Sequence, residues 1–169
     1  MKKIFLVMAA MLCVATVSAQ TLQKAVDTAK SSDWSVGLRV NGGVQAVAEC
    51  FYAGDKYVEG RLGMGIFGGL GADFTFLHNW NCCNWDWTPK AGSWFLDAGV
   101  GANVGGNGGH CYVGVAGDVK FGIKFNKVPI RLAVDYTPVI GWNFNYHGVK
   151  DTFHTPGFYN FALSATYCF

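Results

Sequence analysis

From Trp34 to the C-terminus, apolar and polar residues alternate with period two, and turn-forming residues recur about every eight to sixteen positions. No helical period of convincing length interrupts them. The pattern predicts eight antiparallel strands at 34–41, 43–52, 56–67, 70–80, 92–104, 110–125, 128–142 and 157–169. Asn41-Gly42 and Asn107-Gly108 suit tight hairpin turns, and Gly54-Asp55 and Asn126-Lys127 close two more. Residues 81–91 and 143–156 read as the longer connections, and the GGNGG run at 105–109 as a flexible loop. In the sixth strand Val113, Val115, Val119, Phe121, Ile123 and Phe125 share one face, while Asp118, Lys120 and Lys124 share the other. The seventh sets Ile130, Leu132, Val134, Tyr136 and Ile140 against Arg131, Asp135 and Thr137.

Alternation does not say which face is inside, because a soluble lipocalin-like barrel and a membrane barrel share the period and differ in sign. Glycine breaks the tie. Nine strand glycines, Gly37, Gly101 and Gly141 among them, fall on the polar face, against Gly60 and Gly117 on the apolar one. Small residues belong where space is short, and the interior of an eight-stranded barrel is just wide enough to be filled by side chains. The polar face is therefore expected inside and the apolar face in lipid, giving an eight-stranded up-and-down transmembrane β-barrel.

The charges on that inner face nearly balance. Arg39, Arg61, Lys120, Lys124 and Arg131 stand against Glu49, Glu59, Asp73, Asp97, Asp118 and Asp135. Buried ions need partners of opposite sign, so these residues are expected to form a salt-bridged network that fills the lumen. A narrow path for ions or small solutes is the alternative. Aromatic residues gather at two levels, Trp34, Tyr52, Trp80, Trp94, Phe125, Tyr167 and Phe169 at the end holding both termini and Trp142, Phe144 and Tyr159 at the other. Two such belts are what anchoring at both membrane interfaces predicts.

The first residues carry an address. Lys2-Lys3, the apolar run Ile4–Val14 and the small residues Val17-Ser18-Ala19 make a signal peptide over 1–19, followed by a polar periplasmic tether over 20–33 and a barrel domain over 34–169. Loss of Lys2 and Lys3 lowers Lys+Arg from 13 to 11, equal to the 11 Asp+Glu, and a neutral mature chain argues against nucleic acid as a partner. It retains Cys50, Cys82, Cys83, Cys111 and Cys168, an odd number, so at least one is unpaired or bonded to another chain. Adjacent Cys82 and Cys83 do not have the C-x-x-C spacing of zinc or redox motifs, and the sequence does not choose a disulfide.

The last strand ends on Phe169, with Tyr167, Leu163 and Phe161 alternating upstream. This resembles the C-terminal signal by which the barrel-assembly machinery recognises outer-membrane barrels. With the signal peptide and strand count, the whole mature chain resembles small outer-membrane β-barrels of the OmpA/OmpX-like type. The segments YVEGRLGMG, DWTPKAGSWFLDAGVG, KFNKVPIRLAVDYTPVIG and FALSATYCF are similar to barrel proteins of Bacteroides-type bacteria. The resemblance implies Gram-negative origin, an outer-membrane location and the assembly machinery as a partner during biogenesis. It implies no activity.

Catalytic chemistry finds little support. Small barrels that deacylate lipid A use a His-x-Ser pair, the imidazole acting as base to the hydroxyl, and His78, His110, His147 and His154 each lack it. His110 and Cys111 are strand neighbours pointing to opposite faces. His147, Asp151 and His154 match no metal-binding spacing. The expectation is a non-enzymatic outer-membrane barrel with a structural or surface-interaction role, with no catalytic residue, metal or cofactor and the lipid bilayer as its surroundings. The short turns at 53–55 and 126–127 are expected in the periplasm, and 105–109 and 143–156 outside.

Overall fold

The computed structural model describes residues 34–41, 43–52, 55–65, 71–107, 109–145, 152–154 and 160–169. The signal peptide and tether, His147 and Asp151 lie outside them. The described chain is all β, with no helix: β1 Trp34–Val40, β2 Gly43–Phe51, β3 Lys56–Gly65, β4 Gly71–Thr88, β5 Gly92–Asn107, β6 His110–Phe125, β7 Ile130–Tyr136, β8 Val139–Asn145, β9 Thr152–His154 and β10 Phe161–Cys168. Consecutive strands pair antiparallel from β1 to β7, β7 pairs with β10, and β10 returns to β1. Eight strands thus close into a barrel and leave no edge along the ring.

β7 and β8 are one stave interrupted at Thr137-Pro138. Proline has no N–H to give to the ladder, yet β6 keeps step: Val119 faces Tyr136 and Ala116 faces Val139. Gly117 N donates to Pro138 O at 2.9 Å and Thr137 N donates to Asn160 O at 2.9 Å, so the pause leaves these backbone groups paired.

Three segments read as loops are partly strand. β4 does not stop at residue 80. It runs on through the paired cysteines to Thr88, and Thr88-Pro89-Lys90-Ala91 makes the turn, Ala91 N donating to Thr88 O at 2.8 Å. Proline suits the second position of such a turn because its φ is already set. The register slips twice on the way, between Asn81 and Cys83 and between Trp85 and Thr88, which breaks the period of two in the sequence. β5 likewise continues through Gly105 and Gly106, paired with Tyr112 and Cys111, so most of GGNGG is strand. Within 143–156, Asn143 pairs with both Tyr112 and Thr152.

The core is inverted relative to a water-soluble protein. Among the described residues seventeen buried ones are polar or charged and seven are apolar, and the apolar cluster is Leu77, Ala116 and Val139. Leu38, Leu62, Val115, Phe161 and Leu163 point outward, Leu163 with 66% of its surface uncovered.

Candidate functional site

Strand alternation aims one residue in two at the barrel axis, and nine of the eleven charged residues expected inside are buried there: Arg39, Glu49, Glu59, Arg61, Asp97, Asp118, Lys120, Arg131 and Asp135. Lys124 is a correction. It has the right parity but sits one residue from the end of β6, where the wall stops, and is exposed with no ion pair to a described residue. Asp73 is half-buried and makes no ion pair with a described residue; its carboxylate accepts from Gln45 Nε2 at 2.8 Å.

The buried ions form one connected chain. At the end near the β1–β2 turn, Arg39 Nε donates to Asp135 at 2.5 Å and its Nη1 donates to Gln45 at 2.6 Å, with 1% and 0% of the Arg39 and Asp135 side chains exposed. Thr137 Oγ1 accepts from Arg39 at 3.2 Å and from Arg61 at 2.7 Å and donates to Asp118 at 2.8 Å, using both lone pairs and its proton. Arg61 also donates to Glu59 at 2.6 Å and to both oxygens of Asp118 at 2.9 Å. Lys120 Nζ joins Glu59 at 2.6 Å to Glu49 at 2.9 Å. Arg131 then bridges Glu49 at 3.1 Å and Asp97 at 2.7 Å. Asp135, four residues from Arg131 on the same stave, therefore takes Arg39 as its partner rather than Arg131.

Neutral side chains complete the coordination. Ser35 donates to Glu49, Asn79 Nδ2 to Glu59 at 2.6 Å, and Tyr57 Oη and Asn81 Nδ2 each to Asp97 at 2.8 Å. Arg131 lies over the Phe95 ring, 4.3 Å from its centroid, so its guanidinium face is covered where its edge is hydrogen-bonded. Among the described residues two buried acceptors, Asn79 Oδ1 and Asp135 Oδ2, have no hydrogen-bond partner. The inward parity of Ser35, Gln45, Tyr57, Asn79 and Thr137 is readable in the sequence. Their bonds to particular ions depend on which strands face one another across the barrel.

Chemically, this arrangement holds charge in place. Each buried carboxylate has a cation within salt-bridge distance, the compensation that burial demands. Among the described residues no group of three or more His, Cys, Asp or Glu is placed to hold a metal ion. Phe161, Leu163 and Tyr167 of the expected assembly signal lie along one face of β10, with Phe161 and Leu163 exposed.

On the outer surface where the β4–β5 hairpin meets β6, Trp85, Trp87, Trp94 and Phe121 form a ring-on-ring cluster, Trp94 stacking on Phe121 at 5.4 Å and Trp85 on Trp87 at 5.5 Å. Tyr52, His78 and Trp80 make a second group, with Tyr52 Oη hydrogen-bonded to His78 Nε2. No family model matches the chain, and neither a curated protein nor a solved structure matches it.

Proposed function

We propose that the chain is an integral outer-membrane β-barrel of the OmpA/OmpX-like kind, with a structural or surface-interaction role and no catalysis. The observation that carries this reading is the inversion of the core: Arg39, Glu49, Glu59 and Arg61 are buried while Leu38, Leu62, Val115 and Leu163 face out. A contiguous apolar surface of this extent is costly in water and favourable in a bilayer. The Trp85–Trp87–Trp94–Phe121 cluster supports it, since amphipathic rings collect where hydrocarbon meets headgroups. The alternating outward residues of β10 suit recognition by the barrel-assembly machinery.

The connected network of salt bridges favours a filled lumen over a narrow channel, because no steady water column fits where side chains meet at hydrogen-bond distance. Membrane fractionation followed by gel migration with and without boiling tests the reading. The expected result is a membrane-bound chain whose unboiled form migrates differently. A chain that remains monomeric in detergent-free buffer would overturn it. In planar bilayers the wild-type barrel is expected to give no sustained conductance.

A further inference from the structure

The adjacent thiols Cys82 and Cys83 lie on the part of β4 that has outrun β3. The last β3–β4 pair is Lys56 with Trp80, whereas β4 stays paired with β5 as far as Thr88. Both thiols are free and exposed. On a regular strand, neighbouring side chains point to opposite faces, and adjacent cysteines then do not reach a common ion.

Here the alternation fails at this step. Asn81 pairs with Asp97, and its amide reaches that carboxylate at 2.8 Å; Cys83 pairs with Leu96, the next residue, which leaves Cys82 as the extra residue of a β-bulge. The two asparagines flanking the cysteines clasp each other. Asn84 Nδ2 donates to Asn81 Oδ1 at 2.6 Å and Asn81 Nδ2 donates to Asn84 Oδ1 at 3.2 Å. Residues three apart on an extended strand are about 10 Å apart and on opposite faces, so this clasp requires the backbone to bow at Cys82-Cys83. Among the described residues Cys82 has no ladder partner on β5 and none on β3, so its backbone is less constrained by the sheet than that of its neighbours.

We infer that Cys82 and Cys83 form a chelating site for a soft, two-coordinate cation of the copper(I) type. Thiolates select such ions, and two donors satisfy a linear ion where zinc requires four. No third thiol, imidazole or carboxylate group joins them among the described residues to make a larger site. Binding breaks two S–H bonds, forms two Cu–S bonds and releases two protons to solvent, with no change of oxidation state. The site does not depend on the membrane reading.

Copper(I) titration of the reduced full chain in detergent, against a chromogenic copper(I) chelator, tests it. One ion per chain is expected, retained when Cys50, Cys111 and Cys168 are all changed to serine. Cys82→Ser and Cys83→Ser should each weaken binding about 100-fold, because the second thiolate of a chelate acts at high effective concentration. An unchanged β-type far-ultraviolet circular dichroism spectrum of the variants establishes that the barrel still forms. Wild-type affinity in the Cys82→Ser/Cys83→Ser chain, or loss of binding in the triple variant, would overturn the site.

Discussion

Arg61 Nη2 lies 2.9 Å from both carboxylate oxygens of Asp118, three strands away around the barrel. The same guanidinium holds Glu59 at 2.6 Å. Arg61→Ala therefore leaves the buried Asp118 carboxylate without a cation and Glu59 with Lys120 alone, and is expected to cost ~3–5 kcal/mol. Lys90→Ala, in the exposed β4–β5 turn, should change stability by less than about 0.5 kcal/mol. Urea titrations of the two variants in lipid compare them directly, and equal stability would contradict the buried network.

Thr137 joins three ionised groups of that network through one hydroxyl. Thr137→Val keeps the shape and removes the hydroxyl, leaving donors of Arg39 and Arg61 short of an acceptor and Asp118 short of a donor. The expected loss is ~1–3 kcal/mol by the same titration, largely restored in Thr137→Ser.

Glycine position separates the two faces. A Cβ on Gly37 would stand 2.0 Å from the Ala165 carbonyl oxygen, whereas one on Gly60 would meet nothing nearer than 3.9 Å. Gly37→Ala forces β1 and β10 apart and is expected to cost ~1–3 kcal/mol. Gly60→Ala should fall within about 0.5 kcal/mol of wild type. Midpoints of unfolding in lipid give both values.

The sign of the barrel was legible in the sequence because charge, glycine and alternation all point inward together, as in Asp118-Val119-Lys120. The length of β4 was not. Asn81-Cys82-Cys83-Asn84 has the composition of a turn, and the bulge shifts the phase of every residue after it, so Trp85 and Trp87 fall out of step with Phe74 and Phe76. Gly105 and Gly106 carry no side chain by which a strand is recognised; a Cβ on Gly105 would sit 2.4 Å from the Tyr112 hydroxyl, which explains the glycine better than loop flexibility does. Parity identified the inner charges, but it gives no height, and Lys124 is excluded from the network by height alone. The contacts of Thr137 depend on Arg39, Arg61 and Asp118 from three different strands, and nothing local encodes their meeting.

The central claim is that the outer face meets hydrocarbon rather than water, and β1 supplies a matched pair for testing it. Trp34 and Leu38 point outward on the same strand with nearly equal exposure, 53% and 56%, and differ in distance from the strand end. The measurement is the unfolding free energy in lipid of Leu38→Arg and Trp34→Arg. Embedding in a bilayer predicts a loss of ~2–4 kcal/mol at Leu38 and about 0–1 kcal/mol at Trp34, near the interface. Equal, small losses at both positions would contradict it, because two equally exposed side chains in water have no depth to distinguish them.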